Sequence, residues 1–238
     1  MRIEGKVLVT GATRGIGRAS VQRIVAAGGE VIGMARRPPE DDFPGVFYAC
    51  DLLDRNATAR TLAQIVAAHD VAGLVNNAGL NHVQGLEEVD LDRFDEVIAV
   101  NVRAAIQCAQ AVVPGMRSRG YGRIVNVSSR GALGRIGRTS YAAAKAGIVG
   151  MSRTWAMELA PAGITVNAVS PGATATEMFM RNNAALIERF ISGIPMARLA
   201  EPDEIAAAIE FLLSREASYV TGQLLHVCGG ASVGLAPL

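Results

Sequence analysis

Lys6-Val-Leu-Val-Thr10, followed without a break by Gly11-Ala-Thr-Arg-Gly-Ile-Gly17, decides the fold of this chain. The first five residues form a short apolar run bounded by Gly5 and Gly11, the pattern of a buried strand. A helical pattern then runs from Arg18 to about Ala27. Strand, glycine turn and helix in this order bind a dinucleotide pyrophosphate. Gly11 permits the tight turn, Gly15 lets the backbone approach the phosphates, and Gly17 lets the helix pack closely on the strand. The helix start offers unpaired N–H groups and the positive end of its dipole. Thr13, Arg14 and Ile16 complete the candidate loop. The spacing is G-x-x-x-G-x-G rather than G-x-G-x-x-G, and a plain strand–helix turn would share it.

Outward from this unit, Glu30-Val-Ile-Gly-Met-Ala35 reads as a second strand. Where such a unit binds NAD, an acidic residue about 20 positions past the glycine loop takes the ribose 2′-hydroxyl. This chain has Arg36 and Arg37 there. A carboxylate would repel a 2′-phosphate, whereas a guanidinium binds one bidentately, so NADP(H) is expected ahead of NAD. Arg14 is a second clamp candidate, and a solvated arginine pair is the plain alternative. Further strands read near 46–50, 72–76, 122–128, 164–169 and 223–227. Helices read near 15–27, 55–68, 92–118, 139–160 and 202–213. The alternation predicts an α/β fold: one Rossmann-type, doubly wound domain over 1–238, with a mostly parallel seven-stranded sheet and helices on both faces.

Tyr141 and Lys145 stand four residues apart in Ser140-Tyr-Ala-Ala-Ala-Lys-Ala-Gly147, a helix-forming stretch. That spacing puts phenol and ammonium on one helix face. A phenol with a pKa of roughly 10 is a poor acid–base group at neutral pH. A fixed ammonium beside it is expected to lower that pKa. Alone the pair is a weak signal, since a solvated helix face would carry it equally well.

Together these stretches resemble the short-chain dehydrogenase/reductase family, in its compact branch of beta-ketoacyl-ACP reductases and related carbonyl reductases. The resemblance covers almost the whole chain, in order: Thr10–Gly17 as cofactor loop, Asp51-Leu52 after the third strand, and Asn76-Asn-Ala-Gly79 after the fourth. Asn101, Ser128-Ser129 ending the fifth strand, Tyr141-x-x-x-Lys145, and Pro171-Gly172 with Thr174 and Thr176 follow. It implies catalytic roles for Asn101, Ser129, Tyr141 and Lys145, with Asn101 supporting a water relay and Lys145 also holding the nicotinamide ribose. It implies cofactor contacts from Asp51, Leu52, Asn77, Ala78, Gly79, Tyr141, Lys145, Pro171, Gly172, Thr174 and Thr176. It also implies a homotetramer built on the stretches near 101–119 and 140–160, with Cys108 and Trp155 expected near the interface.

One departure needs a choice. The family usually places its catalytic Ser thirteen residues before the Tyr, which here is Ser128; Ser129 stands twelve before it. Adjacent strand residues face opposite sides, so only one can meet the substrate. Read forward from Gly122-Arg-Ile-Val-Asn-Val127, the strand puts the second Ser in place. A deletion in the loop 131–140 costs little, while a slipped strand inverts its faces. Ser129 is therefore preferred and Ser128 stays open. Arg130 either enters the site or is a solvated loop residue. The segment near 177–198, with Phe179, Leu186, Ile187, Phe190, Ile191 and Ile194, reads as a substrate-covering apolar lid or an amphipathic helix packed on the body.

Composition bounds the function classes. The 238 residues carry 23 Lys and Arg against 22 Asp and Glu, a net charge of +1. That gives no electrostatic case for nucleic acid or membrane partners. No secretory pattern and no unbroken run of 18 apolar residues is present, so a cytoplasmic protein is expected. Cys50, Cys108 and Cys228 read as core thiols, and His69, His82 and His226 are too scattered to indicate a metal centre. The leading expectation is NADP(H)-dependent reduction of a small-molecule carbonyl, including acyl-carrier-bound ones. The alternatives are an NAD-dependent alcohol, sugar or polyol dehydrogenase, and a non-enzymatic dinucleotide sensor or scaffold.

Overall fold

The computed structural model describes residues 1–181 and 183–233. Asn182, within the expected covering segment, and residues 234–238 lie outside them. Seven strands form one sheet: β1 (Lys6–Thr10), β2 (Glu30–Ala35), β3 (Val46–Ala49), β4 (Val71–Asn76), β5 (Gly122–Val127), β6 (Ile164–Pro171) and β7 (Leu224–Val227). Their order is β3-β2-β1-β4-β5-β6-β7, and every neighbouring pair is parallel. The order reverses between β1 and β4. In open sheets of this kind the ligand crevice lies at that switch point, beyond the strands' carboxyl ends.

The helices are α1 (Gly15–Ala26), α2 (Arg55–Ala68), α3 (Leu91–Ile98), α4 (Ala104–Arg119), α5 (Thr139–Leu159), α6 (Glu177–Met180), α7 (Ala184–Ser192) and α8 (Pro202–Leu213). They cover both faces because each central strand alternates between two cores. Val7, Val9, Val75 and Val125 meet Val21 and Ile24 of α1 and Ile205 and Ile209 of α8. Leu8, Leu74 and Ile124, one residue out of phase, meet Ile65 of α2 and Cys108, Val112 and Met116 of α4. Each such side chain contributes about 1.5–3 kcal/mol when fully buried. Near-continuous apolar strands are what a sheet covered on both sides requires.

Residues 91–119 form one continuous helical run with a defect in it. Asp90 caps its start through the N–H groups of Asp92 and Arg93, and Gly120, at φ 68°, ends it. Ala99–Arg103 is a wide π turn. The Asn101 side chain explains the widening, because its Nδ2 donates to the Val97 carbonyl at 2.8 Å and takes an acceptor that the backbone ladder would use. By length and apolar content this run would suffice to cross a membrane. Here its Ala104, Cys108, Val112 and Met116 lie in the sheet core. Cys108 is fully buried within its own chain, so it offers no surface of its own to another subunit. Cys50 and Cys228 are likewise free and buried.

Candidate active site

All the candidate site residues lie along one edge of the sheet, because parallel strands place every strand-to-helix loop at their carboxyl ends. Gly11–Gly17 follows β1, Arg36 and Arg37 follow β2, and Asp51 and Leu52 follow β3. Asn77–Gly79 follows β4, Ser129 follows β5, and Gly172–Thr176 follows Pro171 at the end of β6. The glycine loop is pinned across the switch point by Thr10. Its Oγ1 accepts the N–H groups of Asn77 and Ala78, each at 3.0 Å, and Asn77 Nδ2 donates back to the Thr10 carbonyl at 3.0 Å. Gly11 has φ 65°, and a Cβ there would stand 2.9 Å from Asn77 Nδ2; a Cβ on Gly17 would overlap the Gly11 carbonyl. These two positions are closed to side chains.

The loop fits a dinucleotide. Arg14 stands at the N-cap of α1 without a capping side-chain bond, and the first turn has no acidic residue. The first N–H groups of α1 are thus left to an anion. Thr13 and Ile16 are half-buried beside it. Thr176 packs its methyl against Gly15 and caps α6, while Thr174 is buried and donates to the Gly172 carbonyl at 3.1 Å. Arg36 and Arg37 are exposed, and no ion pair engages either among the described residues. Arg14 instead reaches Glu177 at 3.8 Å. Asp51 Oδ1 accepts the Leu53 N–H at 3.0 Å, and Arg103 holds the carbonyls of Leu52 and Leu53 at 3.0 and 2.7 Å.

Tyr141 and Lys145 lie on the first turns of α5. Lys145 is 2% exposed. Its Nζ donates to the Val127 carbonyl at 2.8 Å and lies 5.6 Å from the centroid of the Tyr141 ring. Burial pushes its pKa down to about 8. Burial also pushes the Tyr141 phenol up, while a hydrogen bond with Ser129 and the charge of Arg138 pull it down. Desolvation outweighs the nearby polar and charged groups, so the net direction is upward rather than the lowering expected from Lys145. Ser129 Oγ also accepts the Gly131 N–H at 3.0 Å. Ser128 faces the other way, buried, with Oγ donating to the Lys145 carbonyl at 2.8 Å.

Asn101 completes the group. Its Nδ2 donates to the carbonyls of Leu80 and Val97, leaving Oδ1 buried without a partner. A Cβ on Gly79 would lie 3.1 Å from this Oδ1 and 3.6 Å from Lys145 Nζ, so acceptor and ammonium look into the same space. Arg130 is tied through Nε to the Ala231 carbonyl at 2.6 Å. After the 174–176 turn, α6 and α7 join through Phe179 and Phe190, edge to face at 4.9 Å, and the Arg135 guanidinium lies 3.8 Å above the Phe190 ring.

A family model described as enoyl-(acyl carrier protein) reductase matches residues 11–232. The 3-oxoacyl-(acyl-carrier-protein) reductase FabG of Vibrio harveyi is 39% identical over 242 residues, covering 97% of this chain and 98% of that protein. The FabG of Thermotoga maritima is 40% identical over 243 residues, covering 97% and 99%. The chain belongs to the short-chain dehydrogenase/reductase family. A crystal structure of a Beutenbergia cavernae protein assigned as an NAD(P)-dependent gluconate 5-dehydrogenase, with NADP bound at low occupancy, superposes with a TM-score of 0.92. It is 33% identical, with 98% of each chain covered. This short-chain dehydrogenase/reductase is therefore an NAD(P)-dependent oxidoreductase with a Rossmann-like parallel sheet.

Three contributors escaped the sequence reading. Thr10 reads from the sequence as the end of a strand and the start of the cofactor loop, and only its hydrogen bonds with Asn77 and Ala78 reveal the tie. Arg103 is one residue of a helix pattern until the 51–53 loop is folded against it. Arg138 stands three residues before Tyr141, a visible spacing whose meaning depends on burial.

Proposed function

We propose that this enzyme reduces a carbonyl to an alcohol with NADP(H), using Tyr141 as the proton donor. The observation that carries the reading is the buried Lys145 ammonium set beside the Tyr141 ring, with Ser129 Oγ and the edge of that ring both flanking Gly131. When bound, the nicotinamide cofactor supplies or takes the hydride. The residues fit such a cofactor: Gly11–Gly17 and the start of α1 would hold its pyrophosphate, and Arg36, aided by Arg37 or Arg14, its 2′-phosphate. Asp51 and Leu52 would meet its adenine side. Asn77–Gly79, Lys145 and the Pro171-Gly172 turn with Thr174 and Thr176 would meet its nicotinamide side.

Ser129 donates a hydrogen bond to the oxygen that gains charge. Tyr141 gives that oxygen its proton as general acid. Lys145, with its pKa near 8, then returns a proton to Tyr141, and the unpartnered Asn101 Oδ1 orients a water beside Lys145 for refilling. The reverse oxidation uses the same groups with Tyr141 as base. A second reading, oxidation of a sugar or polyol alcohol with NAD, is favoured by the gluconate 5-dehydrogenase assignment of the structural relative; the exposed Arg36 argues for NADP. We place the enzyme in the cytoplasm as a homotetramer. The outer face of α5, with Ala143, Ala146, Gly147, Gly150 and Met157 exposed, supports that assembly by offering a flat surface to another helix.

The test is a screen of carbonyls and alcohols with both NAD(H) and NADP(H), followed at the nicotinamide absorbance. Tyr141→Phe should lower kcat by at least ~10²-fold, the usual worth of a general acid, with cofactor affinity nearly unchanged. Turnover like that of the unmodified enzyme would sink the assignment.

A further inference from the structure

Arg138 is the N-cap residue of α5, three residues before Tyr141, and its Nη1 is buried with no hydrogen-bond partner. Among the described residues no carboxylate pairs with Arg130, Arg135 or Arg138; the ion pairs of this protein use other arginines. A guanidinium nitrogen buried without a partner is costly unless an acceptor arrives to meet it. The place of Arg138 is fixed by the chain: it is the N-cap of α5, one turn before Tyr141, and its charge acts on that phenol. An anion bound to Arg138 would therefore sit within a helical turn of the proton donor.

The segment facing Arg138 adds acceptors. Gln84 pairs with the 137–138 backbone, its N–H donating to the Gly137 carbonyl at 3.0 Å. Gln84 Oε1 and Asn81 Oδ1 are both buried without partners. Asn81 follows Leu80, whose carbonyl holds Asn101. One unpartnered guanidinium nitrogen and two unpartnered amide oxygens thus belong to segments joined by the Gln84–Arg138 bridge and by Leu80, which holds Asn101.

We propose that Arg138 recognises a carboxylate on the substrate, and that the substrate is a small oxo acid, or the matching hydroxy acid, whose hydroxyl groups donate to Asn81 and Gln84. The proposal rests on the reductase reading and narrows its substrate class. An alkyl chain in this position would leave all three groups unsatisfied. An acyl thioester on a carrier bears its phosphate at the far end of the pantetheine arm, too far from the reacting carbonyl for a guanidinium beside Tyr141.

The probes are acetoacetate and methyl acetoacetate, which share the ketone and differ in charge, with acetoacetyl-CoA as the arm-bearing control. The unmodified enzyme should favour the acid, and Arg138→Gln should lower the acid-to-ester ratio of kcat/KM at least about tenfold (1.4 kcal/mol), mainly through KM. Arg138→Lys should restore part of it. An unchanged ratio in Arg138→Gln, or a preference for the CoA thioester indifferent to that change, overturns the proposal. If no probe turns over with either cofactor, the reductase reading fails on these carbonyls, and calorimetric titration with acetoacetate decides the rest. Binding weakened at least about tenfold in Arg138→Gln sustains the anion site; equal or absent binding refutes it.

Discussion

Replacing Lys145 by Met should change the pH dependence of stability in a direction the geometry fixes. Burial lowers the ammonium's pKa from 10.5 to about 8. At 1.36 kcal/mol per unit, the charged form costs the fold about 3 kcal/mol. The unfolded chain keeps its proton up to about pH 10.5, so between pH 8 and that value the unfolded state binds more protons. The stability of the unmodified enzyme therefore rises with pH across this window, and the penalty acts in full below pH 8. Met removes the penalty at every pH. It also removes the donor to the Val127 carbonyl, 2.8 Å away, which costs about 1–3 kcal/mol independently of pH. The two terms nearly offset near pH 7, where the proteins should differ by under ~2 kcal/mol. Toward pH 10.5 the unmodified enzyme should draw ahead by most of a further ~3 kcal/mol. Urea unfolding of both proteins at several pH values reads this directly. Parallel stability curves from pH 7 to 10.5 would refute the reasoning, because an ammonium that retained its hydration would give no divergence.

Ser129→Ala should lower kcat by ~10²-fold or more, the scale of a lost oxyanion donor, and Ser128→Ala should act mainly on stability through its bond to the Lys145 carbonyl; a larger kcat loss at Ser128 would favour the thirteen-residue spacing. Arg36→Asp should weaken NADPH about ten- to a hundred-fold, the worth of a charged hydrogen bond, and leave NADH equal or better, as measured by Kd for both cofactors; a preference for NADH indifferent to Arg36 would overturn the NADP reading. Sedimentation at micromolar protein should give a tetramer, and a monomer there would count against assembly through α4 and α5.

The sheet was legible because its strands are short apolar runs closed by glycine or polar residues. β1 and β2 match the expected bounds residue for residue, and β6 runs two residues further because Pro171, as the last residue of its strand, breaks no later ladder bond. The choice of Ser129 over Ser128 rested on alternation along β5, and the two hydroxyls do point apart. What stayed hidden depends on burial or on distant contacts. Ala99-Val-Asn-Val-Arg103 has nothing in its composition that announces a wide turn. The direction of the Tyr141 shift depends on how much water the folded site removes, which spacing to Lys145 does not encode. Arg138 looked like any loop arginine until the fold left one of its nitrogens dry.

The wide turn at Ala99–Arg103 has a further consequence for how this family can diverge. A residue removed from the loop between Ser129 and Tyr141 changes only a path length, since the ends of that loop are held by β5 and α5. A residue removed from the wide turn would instead let the ladder close into a regular helix, because a π turn holds one residue more than the α turn it replaces, so α3 and α4 could keep their phase. What would be lost is the wide turn itself, in which the Asn101 side chain takes the Val97 carbonyl and presents Oδ1 beside Gly79. Length variation around this active site should therefore be tolerated beside the serine and forbidden beside the asparagine, although both segments lie at the same edge of the sheet.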